Sequence, residues 1–181
     1  MSKILKSLAV VLLLTPALAL AHGPSRLKVE KSVEVNVPPA KAWALLKDFC
    51  AIEKWHPAVA KCTGNGGNEI GATRQLRLND PNTGPTIDEK LLKYDDAKMS
   101  YKYMITKVDP AVVPVSNYAS EIHVEDDGKG GSKITWKGGF YRVDQTNNPK
   151  KGQDDEAATG AINGIYDGGL AKIKTLLEGG K

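Results

Sequence analysis

The sequence predicts an α+β domain in which a curved antiparallel sheet of six to seven strands wraps around a long C-terminal helix. Three observations predict it. Short alternating segments follow one another through the middle of the chain, each separated from the next by turn residues. Two short helical stretches come directly after the first strand and stop before Pro57. The chain then closes on one long stretch of helical periodicity, about 153–177. A strongly curved sheet is the economical way to bury the apolar stripe of such a helix.

Ahead of the domain, residues 1–21 have the three-part order of a cleavable secretory signal. Lys3 and Lys6 supply the basic end, 8–14 the apolar middle, and Ala19-Leu20-Ala21 the small-residue exit. The alternative is a membrane anchor. The apolar run is too short for one and is broken by Pro16, whereas a span needs roughly 20 apolar residues. Cleavage is expected after Ala21, leaving a single domain of 160 residues that begins at His22, with a periplasmic destination.

The first strand is read at 29–37, where Val29, Val33, Val35 and Val37 share one parity. Pro38-Pro39 end it, and Pro39 suits the first position of a helix. That helix, 40–49, places Ala42, Leu45, Leu46 and Phe49 on one side. A second helical piece is expected at 51–55. The turn cluster Gly64-Asn65-Gly66-Gly67 follows. Strands are then read at 72–78, 86–94, 98–107, 115–125 and 132–143. Their short connections imply an antiparallel meander. In the last helix, Ala158, Ile162, Ile165, Gly169, Ile173 and Leu176 form the expected buried stripe. Gly160, Gly164 and Gly168 repeat on a neighbouring face, which implies either close approach to something or a locally weak helix.

Composition excludes several classes. The formal charge of +4 falls to +2 without Lys3 and Lys6, and no run of five bases occurs, so nucleic-acid binding has no support. Cys50 and Cys62 are too few for a zinc site and too far apart for CxxC chemistry. In an oxidising compartment they are a disulfide candidate, the alternative being two reduced thiols. No nucleophile elbow, zinc-protease helix or dinucleotide fingerprint is present. The glycine turn at 64–67 lacks the Lys-Ser/Thr end of a phosphate loop. No cofactor or metal is expected. An N-terminal His22 could chelate copper with a second histidine, but a loose chain end is the simpler reading.

The element order and several segments resemble the START/Bet v 1-like superfamily, also called SRPBCC or polyketide cyclase/dehydrase-like, with the helix-grip fold. The segments are P-P-A-K-A-W-A-L-L-K-D-F, W-H-P at 55–57, G-N-G-G, G-A-T-R-Q-L-R-L at 71–78 and D-E-K-L at 88–91. They continue with Y-K-Y at 101–103, P-V-S-N-Y at 114–118, I-T-W-K-G-G-F at 134–140 and G-I-Y-D-G-G-L at 164–170. The resemblance covers about 26–177. Within the superfamily, an exported single-domain chain of this kind resembles the periplasmic MxaD proteins of methanol-oxidising bacteria.

That resemblance implies a cavity between sheet and long helix, a small hydrophobic ligand, and an accessory role beside methanol dehydrogenase and its cytochrome c acceptor. The alternatives are a cyclase/dehydrase-type enzyme working in the cavity and a lipid or hydrophobe transfer protein. Candidate cavity residues are Trp55, His56, Arg74, Glu89, Tyr101, Tyr103, Tyr118, Trp136, Phe140 and Tyr166. Arg74 and Glu89 share parity with apolar neighbours and are expected to pair inside, as an ion pair that fixes the sheet, the alternatives being an orienting pair for a polar ligand or a proton-transfer acid. The aromatics sit at strand spacing, which favours core over lining for any one of them. His56 is expected to bond a free helix-end carbonyl, with acid–base chemistry as the alternative. His123 is expected to face outward. Surface lysines Lys98, Lys102, Lys150 and Lys151 would aid contact with an acidic partner if they cluster.

Overall fold

A computed structural model describes residues 23–179. The signal segment 1–21 and His22 lie outside them. The elements run β1 (Leu27–Val35), α1 (Pro39–Leu46), α2 (Ile52–Trp55), β2 (Val59–Asn65), β3 (Thr73–Leu78), β4 (Thr86–Asp95), β5 (Ser100–Val108), β6 (Val115–Asp126), β7 (Ser132–Arg142) and α3 (Asp155–Glu178). All seven strands form one antiparallel sheet in the order β1-β7-β6-β5-β4-β3-β2. The meander runs from β2 to β7, and β1 returns to the far edge beside β7. The fold is therefore the expected helix-grip α+β architecture.

Local chemistry sets the element ends. Pro39 opens α1, since its missing N–H would have no partner there. Trp43 donates from Nε1 to Asp96 Oδ1 at 2.7 Å and ties α1 to the β4–β5 turn. Asp154 caps α3 by accepting from the Ala157 N–H at 2.8 Å, so it precedes the helix and does not lie in its first turn. Cys50 and Cys62 are joined by a disulfide, which fastens the segment between α1 and α2 to edge strand β2. Closing a loop of that length contributes about 3 kcal/mol.

Two sequence expectations need correction. Gly64 and Asn65 belong to β2, and the turn starts at Gly66, whose φ is +89°. Of this edge strand only Val59 is buried, so it shows no alternation to read. On α3 the buried residues are Ala158, Ile162, Tyr166, Gly169, Leu170, Ile173 and Leu177, whereas Leu176 is 43% exposed. The glycine stripe is not a contact face either. A Cβ at Gly160 or Gly164 would meet nothing within 4 Å, and one at Gly168 only Pro57. Close approach falls on Gly169, where a Cβ would lie 2.7 Å from Trp136 and 2.9 Å from His56.

The core lies between the concave sheet face and the helices. α3 packs on β1 and β7, and α2 reaches both α3 and β2. On the far side of α3, towards β3, β4 and β5, the helix and the sheet part company. The space left there holds the candidate site.

Candidate functional site

Between α3 and the β3–β5 side of the sheet is a cavity of about 60 Å³. Its apolar wall is built by Ile52, Leu76, Ile87, Ile105, Ile162 and Ile165 among others, and His56, Glu89, Tyr103, Tyr118 and Trp136 join it. Half of the predicted set thus shares one wall. Trp55, Arg74, Tyr101, Phe140 and Tyr166 are buried but do not line the cavity. The aliphatic lining was not singled out from the sequence, because Leu and Ile at inward positions look the same in a packed core as around a hole.

His56 is positioned by the end of α2. Pro57 halts the helix, and His56 takes an extended conformation (φ −114°, ψ 118°) that turns its ring inward. Its Nε2 lies 3.0 Å from the carbonyl of Ile165 on α3, and its Nδ1 accepts the Ala58 N–H at 3.2 Å. A carbonyl can only accept and an amide N–H can only donate. The ring is therefore neutral with its proton on Nε2. Burial is the main cause holding its pKa below the usual histidine value; the Ile165 bond opposes this and the Arg74 charge adds to it. The carbonyl it binds lies in mid-α3, not at its own helix end. Glu53, its nearest acid in sequence, instead accepts the Cys62 N–H at 2.7 Å.

Arg74 and Glu89 face each other directly across β3 and β4. Their side chains pair at 2.6 Å, both out of contact with bulk water. Arg74 also donates from Nη1 to the Phe49 carbonyl, and its Cζ sits 4.0 Å from the Phe49 ring centroid and 5.0 Å from that of Tyr103. A buried guanidinium is tolerated where a carboxylate, a carbonyl and two aromatic faces surround it. Burial pushes the Glu89 carboxyl above its ordinary value, against the pull of Arg74. Of the pair, Glu89 lines the cavity, while Arg74 stands behind it.

The aromatic residues form a bonded chain. Trp136 donates from Nε1 to the Tyr103 hydroxyl at 3.0 Å and stacks on Tyr166 at 4.4 Å between centroids. The Tyr166 hydroxyl lies 2.9 Å from that of Tyr118 and 2.7 Å from Ser120 Oγ, which donates to the Lys137 carbonyl. Gly138 makes room for this chain, since a Cβ there would lie 2.3 Å from the Tyr166 hydroxyl. A shift of register between Ser116 and Ala119, with Asn117 at φ +50°, turns Tyr118 inward. Burial pushes Tyr166 up to about 12 and Tyr118 well above its ordinary value, so both hydroxyls keep their protons at neutral pH.

The profile of a known family, described as polyketide cyclase/dehydrase and lipid transport, matches residues 26–178. The chain belongs to this family. Among curated members of the wider superfamily, the abscisic acid receptor PYL7 of Arabidopsis thaliana is 27% identical over 103 residues. That match takes in 55% of this chain and 47% of the receptor, so the chain spans about half the length of its curated relative. Among solved structures, the XoxI protein of Bacillus cereus is 28% identical with a TM-score of 0.70, over 83% of this chain and 94% of that one. Ara h 8.0201 is 20% identical with a TM-score of 0.64, over 84% and 98% of the two chains, and shares the fold. The family match gives this chain a polyketide cyclase/dehydrase-like ligand-binding fold, in which the sheet and the long helix leave a space between them. The cavity bounded by His56, Glu89 and Trp136 occupies that space. Among the described residues no group of three or more His, Cys, Asp or Glu is placed to hold a metal. No described helix is long and apolar enough to cross a membrane.

Proposed function

We propose that the protein is a periplasmic, non-enzymatic accessory protein of methanol oxidation that holds a small hydrophobic molecule in its cavity. It would act beside methanol dehydrogenase and its cytochrome c acceptor. The observation that carries binding over catalysis is the state of the polar groups on the cavity wall. Both ring nitrogens of His56 are already engaged, Glu89 is held by Arg74, and the Tyr118 hydroxyl is bonded to Tyr166. A general base needs a free lone pair within reach of its substrate, and His56 offers none. What remains is an apolar wall, which selects for apolar ligands. At about 60 Å³, and at roughly 10–15 Å³ per water-sized probe, the cavity takes a ligand of a few heavy atoms unless α3 moves.

Export is supported by the Lys3–Lys6 end, the apolar run and the Ala19-Leu20-Ala21 exit. The disulfide between Cys50 and Cys62 suits an oxidising compartment. The methanol-oxidation role rests on the resemblance to MxaD proteins. Cytochrome c reduction by purified methanol dehydrogenase, with and without this protein, tests it. The rate is expected to rise, and an unchanged rate at every salt concentration overturns the role.

A second reading, a cyclase/dehydrase-type enzyme, is favoured by one observation. His56 and Glu89, both with shifted pKa values, share the same cavity. Under that reading His56→Gln abolishes turnover of any substrate found. Under the accessory reading the same variant leaves stimulation of the dehydrogenase intact.

A further inference from the structure

The outer face of the sheet carries a second depression, of about 260 Å³, on the side away from the cavity. Its floor exists because two adjacent strands lack bulk at the same level. Lys28, Gly139, Ala119 and Met104 line up across β1, β7, β6 and β5, and the two middle positions have almost no side chain. Arg26 lies close over Gly139: a Cβ there would lie 2.7 Å from Arg26 Nε, so a larger residue would push that exposed side chain aside. Arg26 also donates from Nη2 to the Gly139 carbonyl at 3.0 Å. The neighbouring level reads Glu30, Lys137, Glu121 and Lys102 across the same strands.

Four bases, Arg26, Lys28, Lys102 and Lys137, therefore surround a hollow that has only two acids, Glu30 and Glu121. Glu121 is taken by Lys137 at 3.4 Å. Among the described residues Lys28 and Lys102 have no ionic partner within 4.0 Å. The four lysines expected from the sequence to form a contact surface do not assemble. Lys98 lies beyond Ser100, which aligns through His123 with Thr135, while Lys150 and Lys151 follow Arg142. Seven residues of β7 separate those levels, about 23 Å at 3.3 Å per residue. Lys102 alone of that set belongs to the hollow.

We propose that this hollow is the docking site for an acidic protein surface, one that presents a carboxylate side chain between Lys28 and Lys102. The proposal deepens the accessory reading, because it names the face that meets the oxidoreductase partner. Charge complementarity is the argument. A net positive, concave patch with two unpaired lysines steers an acidic partner and fixes its register, and rim charges of this kind act mainly on association rate and salt dependence.

Two arms test it with the full exported chain. In the first, a deca-glutamate peptide is titrated and followed by amide NMR. Shifts are expected at Ala119, Gly138 and Gly139, and are lost in the Lys28→Glu/Lys102→Glu variant. Shifts absent there, or centred on 150–151, overturn the docking site whatever the dehydrogenase does. In the second, binding to purified methanol dehydrogenase is measured across salt. The double charge reversal is expected to weaken it about tenfold, and Lys150→Glu/Lys151→Glu to leave it unchanged. Equal binding by both variants overturns the docking site. A positive peptide arm with no dehydrogenase binding keeps the docking site and overturns the methanol-oxidation partner.

Discussion

At the residue scale the site is governed by how few polar atoms are free. His56 links two elements through one ring, and its geometry requires the neutral form. The fold lowers its pKa, so the unfolded chain binds a proton more readily. Its contribution to stability is present above the ordinary value of about 6.5 and is lost as pH falls through the lower folded value. Urea midpoints are expected to drop on going from pH 7.5 to pH 5. His56→Gln, which keeps a donor and an acceptor, should flatten that slope, and equal slopes in both proteins would disprove the assignment. The Arg74–Glu89 pair makes a separate prediction. Glu89→Gln leaves a guanidinium buried without its counter-charge and should cost about 3–5 kcal/mol in chemical denaturation. Arg74→Met combined with Glu89→Leu should recover most of that loss, because neither buried charge then remains.

At the element scale α3 separates two kinds of helical glycine. At Gly169 an added methyl meets the rings of Trp136 and His56, so Gly169→Ala should destabilise by about 1–3 kcal/mol. At Gly160 and Gly164 the added methyl meets nothing, and alanine there should stabilise by about 0.5–1 kcal/mol each. Thermal unfolding of the three single variants checks the opposite signs. This contrast also marks where the sequence could be read and where it could not. Periodicity located α3 and its first buried residues. It could not choose between Leu176 and Leu177, since at 100° per residue they fall about 60° and 40° to either side of Ile173. Packing on β1 and β7 decides for Leu177. Strands β3 to β7 were legible because each alternates. Edge strand β2 was not, with one buried residue and a Gly-Asn end that reads as a turn.

At the scale of the whole molecule, the cavity and the outer hollow lie on opposite faces of one sheet, and neither could be located from parity alone. Parity placed Arg74, Glu89, Tyr103 and Trp136 inside, as found. Which inward residues line a hole depends on where α3 leaves the sheet, and that is set by its docking on β1 and β7 at the other edge. The same geometry says which parts must yield to a ligand larger than the cavity. The sheet is continuous behind β3 to β5, so a larger ligand would have to displace α3 or the His56–Ala58 segment. Filling the cavity from the sheet side, with Ile105→Trp, should abolish binding of small hydrophobes while leaving the outer hollow intact. Thermal shift with a series from benzene to dodecanoate is the measurement. Wild type should respond most to the small members, the variant to none, and amide exchange on ligand binding should change at 56–59 and in α3 while Lys28, Ala119 and Gly139 around the outer hollow stay unaltered. A variant that still responds to benzene would place the ligand elsewhere. Exchange changes confined to Lys28, Ala119 and Gly139 would place it on the outer face.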